Sequence, residues 1–188
     1  MESFLGVFTS FGLSTSAGLN AYMPMLIVAL VARFTTWIHL NEPFDVLTSW
    51  WVIGVIAVLL VVEILADKIP AVDSVNDVIQ TAIRPIAGAI LFAANTNAIA
   101  NVHPVLAMIC GLLLAGTVHV VKATARPAVT VTTGGVGNPV LSTVEDVVSA
   151  LTAFLAILLP TLLAIVLLLA TIIVGWWLWA RHQRRVNA

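Results

Sequence analysis

Between Val147 and Trp179 the chain runs for 33 residues without a charged side chain. As one straight helix this stretch would be about 50 Å long, against a bilayer hydrocarbon core of about 30 Å. Pro160 falls near its middle, where a proline removes a helical hydrogen bond and crowds the preceding turn. Either the chain turns back there, giving a short fifth and a full sixth crossing, or one long helix kinks. We take two segments, because the loop charges favour an even number of crossings.

The rest of the sequence is of the same kind. Hydrophobic residues make up 61% and charged residues 9%, with a mean hydropathy of +1.09. Soluble domains carry roughly 25% charged residues, so a water-facing surface cannot be covered. Disordered chains are poor in apolar residues and rich in charge, which excludes disorder as well. A net charge of −1 gives nucleic acid no electrostatic purchase. The lone Cys110 excludes an intramolecular disulfide and any multi-cysteine metal site. The expectation is a single all-α transmembrane domain over residues 1–188, a polytopic helical membrane protein embedded in a lipid bilayer, with about six spans.

Four further apolar stretches supply the other spans. They cover Asn20 to Trp37, Trp50 to Ala66, Val75 to Ala94 and Pro104 to Val121. A shorter apolar piece, Phe4 to Leu13, precedes the first across a run of small residues. The chain opens Met1-Glu2-Ser3-Phe4 and has no Lys or Arg before Arg33, unlike a secretory signal, so this reads as mature sequence. Cytoplasmic loops are enriched in Lys and Arg. Six crossings place Lys68, Lys122, Arg126, Arg181, Arg184 and Arg185 on one side and only Arg33 on the other. Both termini are therefore expected in the cytoplasm. Trp37, Trp50 and Trp51 would mark the outer interface, and Trp176, Trp177 and Trp179 the inner one.

Two stretches can be laid over each other. Trp50 to Leu91 reads helix, Lys68, short loop, Asp77, helix. Pro104 to Leu159 reads helix, Lys122, a loop about 15 residues longer, Asp146, helix. A second echo joins Thr15-Ser16-Ala17-Gly18-Leu19-Asn20 to Thr132-Thr133-Gly134-Gly135-Val136-Gly137-Asn138. Duplication would point to a transporter site at interrupted hydrophobic segments. Chance likeness between apolar helices written in few letters is the other reading.

The polar residues inside the apolar segments carry the functional argument. Glu63 and Asp67 are four apart and share a helix face. Asp73 and Asp77 follow the Lys68-Ile69-Pro70 break, and Asp77, Thr81 and Arg84 again share one face. Glu63 lies roughly 7 Å inside Lys68, and Arg84 roughly 10 Å inside Asp77, at about 1.5 Å per residue. They reach similar depth on antiparallel neighbours, so an ion pair between Glu63 and Arg84 is expected. A charge at mid-membrane costs about 2.5–3.5 kcal/mol on insertion scales, and such residues mark ion or proton paths. One pair would merely pin a hairpin. Four acids at one end favour a hydrated, cation- or proton-handling vestibule between the second and third spans.

A second cluster holds His119, Lys122, Arg126, Glu145 and Asp146. Glu145 and Asp146 either cap the start of the fifth helix, where the dipole favours acids, or join the first cluster beneath the bundle. His119 titrates near neutral pH when unperturbed, or is simply hydrogen-bonded. In the small-residue run, Gly18 permits unwound backbone and Ser16 or Asn20 suits a helix cap. Exposed amides there would attract anions, and irregular backbone at membrane depth requires a cavity beside it. At the interface the same run is only a turn. Thr130 to Asn138 has the same two readings, as a loop or a gate. Gly111, Ala115 and Gly116 suit close helix packing. Asn95, Asn97 and Asn101 read as a solvated outer loop, and Arg181 to Arg185 as a basic topology anchor.

The motifs Ser16-Ala17-Gly18-Leu19-Asn20-Ala21-Tyr22, Glu63-Ile64-Leu65-Ala66-Asp67-Lys68-Ile69-Pro70-Ala71-Val72-Asp73-Ser74 and Arg84-Pro85 with Gly88-Ala89 resemble the domain-of-unknown-function 4126 family. The resemblance spans nearly the whole chain. It implies a bacterial inner-membrane protein of about this length and carries no activity with it.

Three functions are in play. A small transporter or channel for an ion or small solute would bind a cation or proton at Glu63 and Asp67, with Arg84 as internal counter-ion and substrate near the small-residue breaks. Asp73 and Asp77, with Ser16, Gly18 and Asn20, complete that candidate site. A structural or accessory subunit would need only packing faces. A lipid-modifying enzyme is the third, but no nucleophile, metal or phosphate-loop motif is present, and His39, His103, His119 and His182 are scattered. The chain is therefore read as a non-enzyme without cofactor or metal. A bundle this short would complete its pathway as a homo-oligomer.

Overall fold

The computed structural model describes residues 2–40, 42–95, 103–159, 165–166, 169–174 and 176. The regular elements among them are all helical: α1 Glu2–Leu19, α2 Tyr22–Phe34, a short 3-10 segment Phe44–Thr48, α3 Trp50–Ala66, α4 Pro70–Asn95, α5 Pro104–Thr133 and α6 Asn138–Leu158. Three of these helices hold stretches long and apolar enough to cross a membrane, Val75–Asn95, Pro104–Thr133 and Asn138–Leu158. Tyr22–Phe34 and Trp50–Ala66 are apolar but shorter. Among the described residues, then, three helices meet the length and apolarity of a span, against an expectation of about six for the whole chain.

Boundaries follow local chemistry. Asn20 closes α1 and opens α2: its Oδ1 accepts from the amides of Tyr22 and Met23 at 3.1 and 2.9 Å. Ser49 caps α3 by accepting from Val52 N–H. His103 does the same for α5, with Pro104 in the first turn, where a missing amide costs nothing. Gly134 and Gly135 end α5 with φ of +62° and +86°, a left-handed turn that only glycine takes without strain. α6 stops at Leu158, and Leu159 leaves helical geometry. Residues 169–174 are helical again, while Pro160, Trp177, Trp179 and the tail from Arg181 lie outside the described residues.

Four sequence expectations are corrected here. Ser14 to Gly18 is not a break: it is the last full turn of α1, and the chain bends two residues later, at Asn20 and Ala21. Lys122 to Thr133 is not a loop but the continuation of α5, about 45 Å long in all at 1.5 Å per residue. The two hairpin turns are therefore similar in size, and the extra residues of the second hairpin lie in helix. Lys122 and Arg126 are buried within that helix and cannot count as loop charges. Asn95 is buried, its side chain donating to Leu91 O at 2.8 Å; Asn97 and Asn101 lie outside the described residues.

Small residues set the packing. α1 lies wedged among α4, α5 and α6. Ser14 Oγ donates to Gly88 O of α4 at 2.8 Å. Ser16 and Ser149 of α6 bond each other's hydroxyls and carbonyls at 2.8–3.1 Å. A methyl on Gly18 would stand 2.6 Å from Ala115 O of α5. α4 and α5 cross at Gly88 and Gly111, where a Cβ on Gly111 would overlap the Gly88 carbonyl. Leu13, Ala17, Leu91, Ala115, Ala153 and Ala156 fill the core. A second cluster of Ala29, Leu47, Ile53 and Ile56 joins α2 to α3. Outside, large apolar side chains face away: Trp51, Val58, Val62, Leu113, Val121, Leu151 and Phe154 are exposed. So continuous an apolar exterior belongs against lipid or a partner.

Gly111→Ala should therefore overpack the α4–α5 crossing and cost about 1–3 kcal/mol. Gly54→Ala, whose new methyl meets nothing within 4 Å, should be neutral or stabilise by up to about 1 kcal/mol, as expected for a helical glycine. Unfolding in detergent measures both, and equal effects would contradict the packing described.

Candidate functional site

α1, α3 and α5 end, and α2, α4 and α6 begin, at the same end of the bundle, and their polar side chains meet there. Five carboxylates (Glu63, Asp67, Asp77, Glu145, Asp146) and four cations (Lys68, Arg84, Lys122, Arg126) form one network, joined by His119 and Asn20. Asp73 lies on α4, and its side chain is outside those described.

Arg84 is the deepest cation and is fully buried. One terminal nitrogen, Nη2, pairs with Glu63 Oε1 at 3.1 Å, the contact expected from their matched depths. The other, Nη1, lies 3.0 Å from His119 Nδ1 and 3.9 Å from Asp77 Oδ1. A guanidinium can only donate, so His119 Nδ1 accepts. The imidazole is thereby assigned as the neutral ring protonated on Nε2, which donates to Thr81 Oγ1 at 3.0 Å. Thr81 passes its own hydrogen to the Asp77 carbonyl at 2.8 Å.

Arg126 ties the hairpins together. It reaches Asp77 Oδ2 at 2.8 Å, Glu145 Oε2 at 3.2 Å and Asp67 Oδ2 at 3.6 Å. Lys122 also bonds Glu145 Oε2, at 2.8 Å, and donates to Leu19 O, the exposed end of α1. Asp146 accepts from Asn20 Nδ2 at 2.9 Å. Asp67 accepts from Asn76 and Ser142, and Lys68 reaches the hydroxyls of Ser142 and Thr143. The two clusters are thus one. Glu145 and Asp146 stand in the second and third turns of α6, too far in to cap it, and both turn inward.

Beside the network opens a cleft of about 450 Å³ between α4 and α5, closed at one end by the start of α6. Asp77, Thr81, His119, Arg126, Thr130 and Asn138 give it polar walls, and Val78, Ala123, Pro127 and Val131 apolar ones. From sequence a vestibule is expected one helix over, between the second and third spans, which are α3 and α4.

Ser16, Gly18 and Asn20 divide in their roles. Asn20 belongs to the network. Ser16 and Gly18 serve helix packing, and the amides at the start of α2 are taken by Asn20 itself, which leaves the expected anion site no donors. The Gly134–Gly137 turn is a tight helix connection. Gln80, Tyr22 and Ser142 were not singled out by sequence. Gln80 is four residues before Arg84, and Tyr22 lies within electrostatic reach of Glu63, Gln80 and Arg84. Ser142 belongs to a visible stripe, Asn138, Ser142, Glu145, Asp146, Ser149 and Ala153, spaced as one helix face.

A family model described as Domain of unknown function (DUF4126) matches residues 7–181. No curated protein and no solved structure matches the chain.

Removing one partner of a buried pair strands the other. Arg84→Met should cost about 3–5 kcal/mol, and adding Glu63→Leu should restore part of that loss. Equilibrium unfolding of the single and double variants measures the coupling; strictly additive losses would show that the two side chains do not depend on each other.

Proposed function

This chain belongs to the DUF4126 family, and we propose that it is a small multi-pass membrane transporter or channel for an ion or small solute. We place it in the bacterial inner membrane. The observation that carries this reading is the meeting of the cleft with the network. Asp77, His119 and Arg126 line a cavity of about 450 Å³ and are bonded directly to charges buried at mid-helix. A rigid scaffold has no use for such an opening, whereas charged groups at membrane depth tend to mark ion and proton paths.

In this reading the solute enters the cleft rather than the small-residue run. Carboxylates of the network bind its positive charge or a coupled proton, and Arg84 serves as the internal counter-ion. Protonating a carboxylate frees Arg84 and lets the two hairpins, α3–α4 and α5–α6, shift against each other. A second copy of the chain would cover the apolar outer faces and complete the walls. No residue is assigned a catalytic role, and the site calls for no cofactor or metal.

A second reading, an accessory subunit held rigid by the same pairs, draws on one observation: Lys68, Arg84, Lys122 and Arg126 all have partners. Liposome reconstitution separates the two. Purified protein should dissipate at least one of imposed proton, sodium or potassium gradients, and Asp77→Asn should cut that rate at least tenfold while Gly54→Ala leaves it unchanged. Vesicles that hold all three gradients, from protein that co-purifies with a fixed partner, would favour the accessory subunit.

A further inference from the structure

Among the described residues, Glu63 Oε2, Gln80 Oε1, Asp77 Oδ1 and Arg84 Nε are buried without a hydrogen-bond partner. Glu63, Gln80 and Arg84 are each at least 98% buried, and a buried acceptor left unmade is costly. Their placement follows a pattern. Arg84 stands between two carboxylates, and each keeps one unbonded oxygen. Glu63 holds the guanidinium at 3.1 Å through Oε1. Asp77 already gives Oδ2 to Arg126 at 2.8 Å and holds Oδ1 at 3.9 Å from Arg84, about an ångström beyond a charge-assisted bond. With His119 neutral, the described network holds five negative and four positive side chains and is short of one positive charge.

We propose that Glu63 is the binding site of a single proton, and that Asp77 is the carboxylate that receives Arg84 when that proton binds. The proton comes from hydronium and forms an O–H bond at Glu63 Oε2, leaving neutral water behind. The new hydroxyl is a donor, and Gln80 Oε1 is a buried acceptor still lacking one. Glu63, now neutral, no longer holds the guanidinium. Arg84 then closes on Asp77 Oδ1, with His119 Nδ1 accepting from it throughout, and the positive charge moves toward the cleft. A metal cation suits the site poorly, because it would share its ligand shell with a permanent guanidinium, whereas a proton needs one lone pair.

The surroundings of Glu63 are consistent with this. Arg84 faces it from α4, Lys122 from α5, Asp67 from its own helix and Tyr22 from α2. α6 brings Glu145 and Asp146, held by Lys122 and Asn20, and α1 has no titratable side chain between Gly6 and Leu19. Asp67 and Asp77 each have Arg126, and Glu145 has two cations; Glu63 relies on one contact to one cation.

The inference narrows the reading of an ion pathway to protons, and its test does not depend on flux. Full-length protein carrying 13C-glutamate is reconstituted in lipid, and infrared difference spectra are recorded across a pH titration. Of the glutamic-acid carbonyl bands that appear on acidification, one should vanish in Glu63→Gln, persist in Asp77→Asn and return at a shifted pH in Glu63→Asp with 13C-aspartate. In 15N spectra the Arg84 guanidinium should move with the same midpoint, rest at its acid position at every pH in Glu63→Gln, and fail to reach it in Asp77→Asn. A set of bands unchanged by Glu63→Gln, or an Arg84 signal indifferent to pH, overturns the proposal. A titrating Glu63 in vesicles that hold every gradient would sink the transport reading and leave the proton site standing. Solute flux with a silent Glu63 would do the reverse.

Discussion

Arg84 cannot shed its charge, and it is buried without any exposure. That single demand organises the bundle. A lone cation at this depth is costly on any scale, so an acid must arrive at the same level on a neighbouring helix, and Glu63 does. The second terminal nitrogen needs an acceptor, which fixes His119 as neutral and orients it. The ring then needs Thr81, and the aspartate beside Thr81 needs Arg126. Arg126 in turn draws in Asp67 and Glu145, and through Glu145 comes Lys122 and the end of α1. Each partner carries its own unsatisfied valence, so the network grows until it reaches the α5–α6 turn. Pairing of this kind specifies which helices are neighbours more than it stabilises them, since a dry apolar core of equal volume often does as well.

The same helices change character along their length. The buried face of α5 reads Ala107, Gly111, Ala115, His119, Lys122 and Arg126, small at one end and charged at the other. α1 and α6 repeat the scheme with Ser10, Ser14 and Gly18, and with Ala156, Ala153 and Ser149 running into Asp146. Where the stripe is small the backbones touch, and van der Waals contact holds them. Where it is long and polar, side-chain ion pairs and hydrogen bonds join the helices, and the cleft lies beside them.

Much of this was legible in the sequence. The family resemblance held over the length of the chain, the elements were correctly taken as helical, and the Glu63–Arg84 pair followed from counting residues back from one turn. Asn20 as a cap and Gly111 with Ala115 as a packing face followed from residue type. What misled was the assumption that charge marks the water boundary. Lys122, Arg126, Glu145 and Asp146 looked like loop and cap because charged side chains usually seek solvent; here they satisfy one another and extend two helices instead. Gly18 looked like a break because glycine lowers helix propensity, yet α5 approaches so closely that a side chain there has no room. No single-sequence pattern reports which neighbour a small residue faces, so the cleft between α4 and α5 was not legible.

The α4–α5 contact at Gly88 and Gly111 brings backbone against backbone, with the Ala115 methyl and the Phe92 Cβ seated beside it. Two rods that meet so closely at one point have a fulcrum there. A change of angle about that fulcrum leaves the small-residue half in register while widening or narrowing the far ends by several times as much. With the glycines as pivot, the bonds of Asp77 to Arg126 and of Thr81 to His119 are what hold the charged ends of α4 and α5 at their angle, with a leverage set by where the crossing falls along α5.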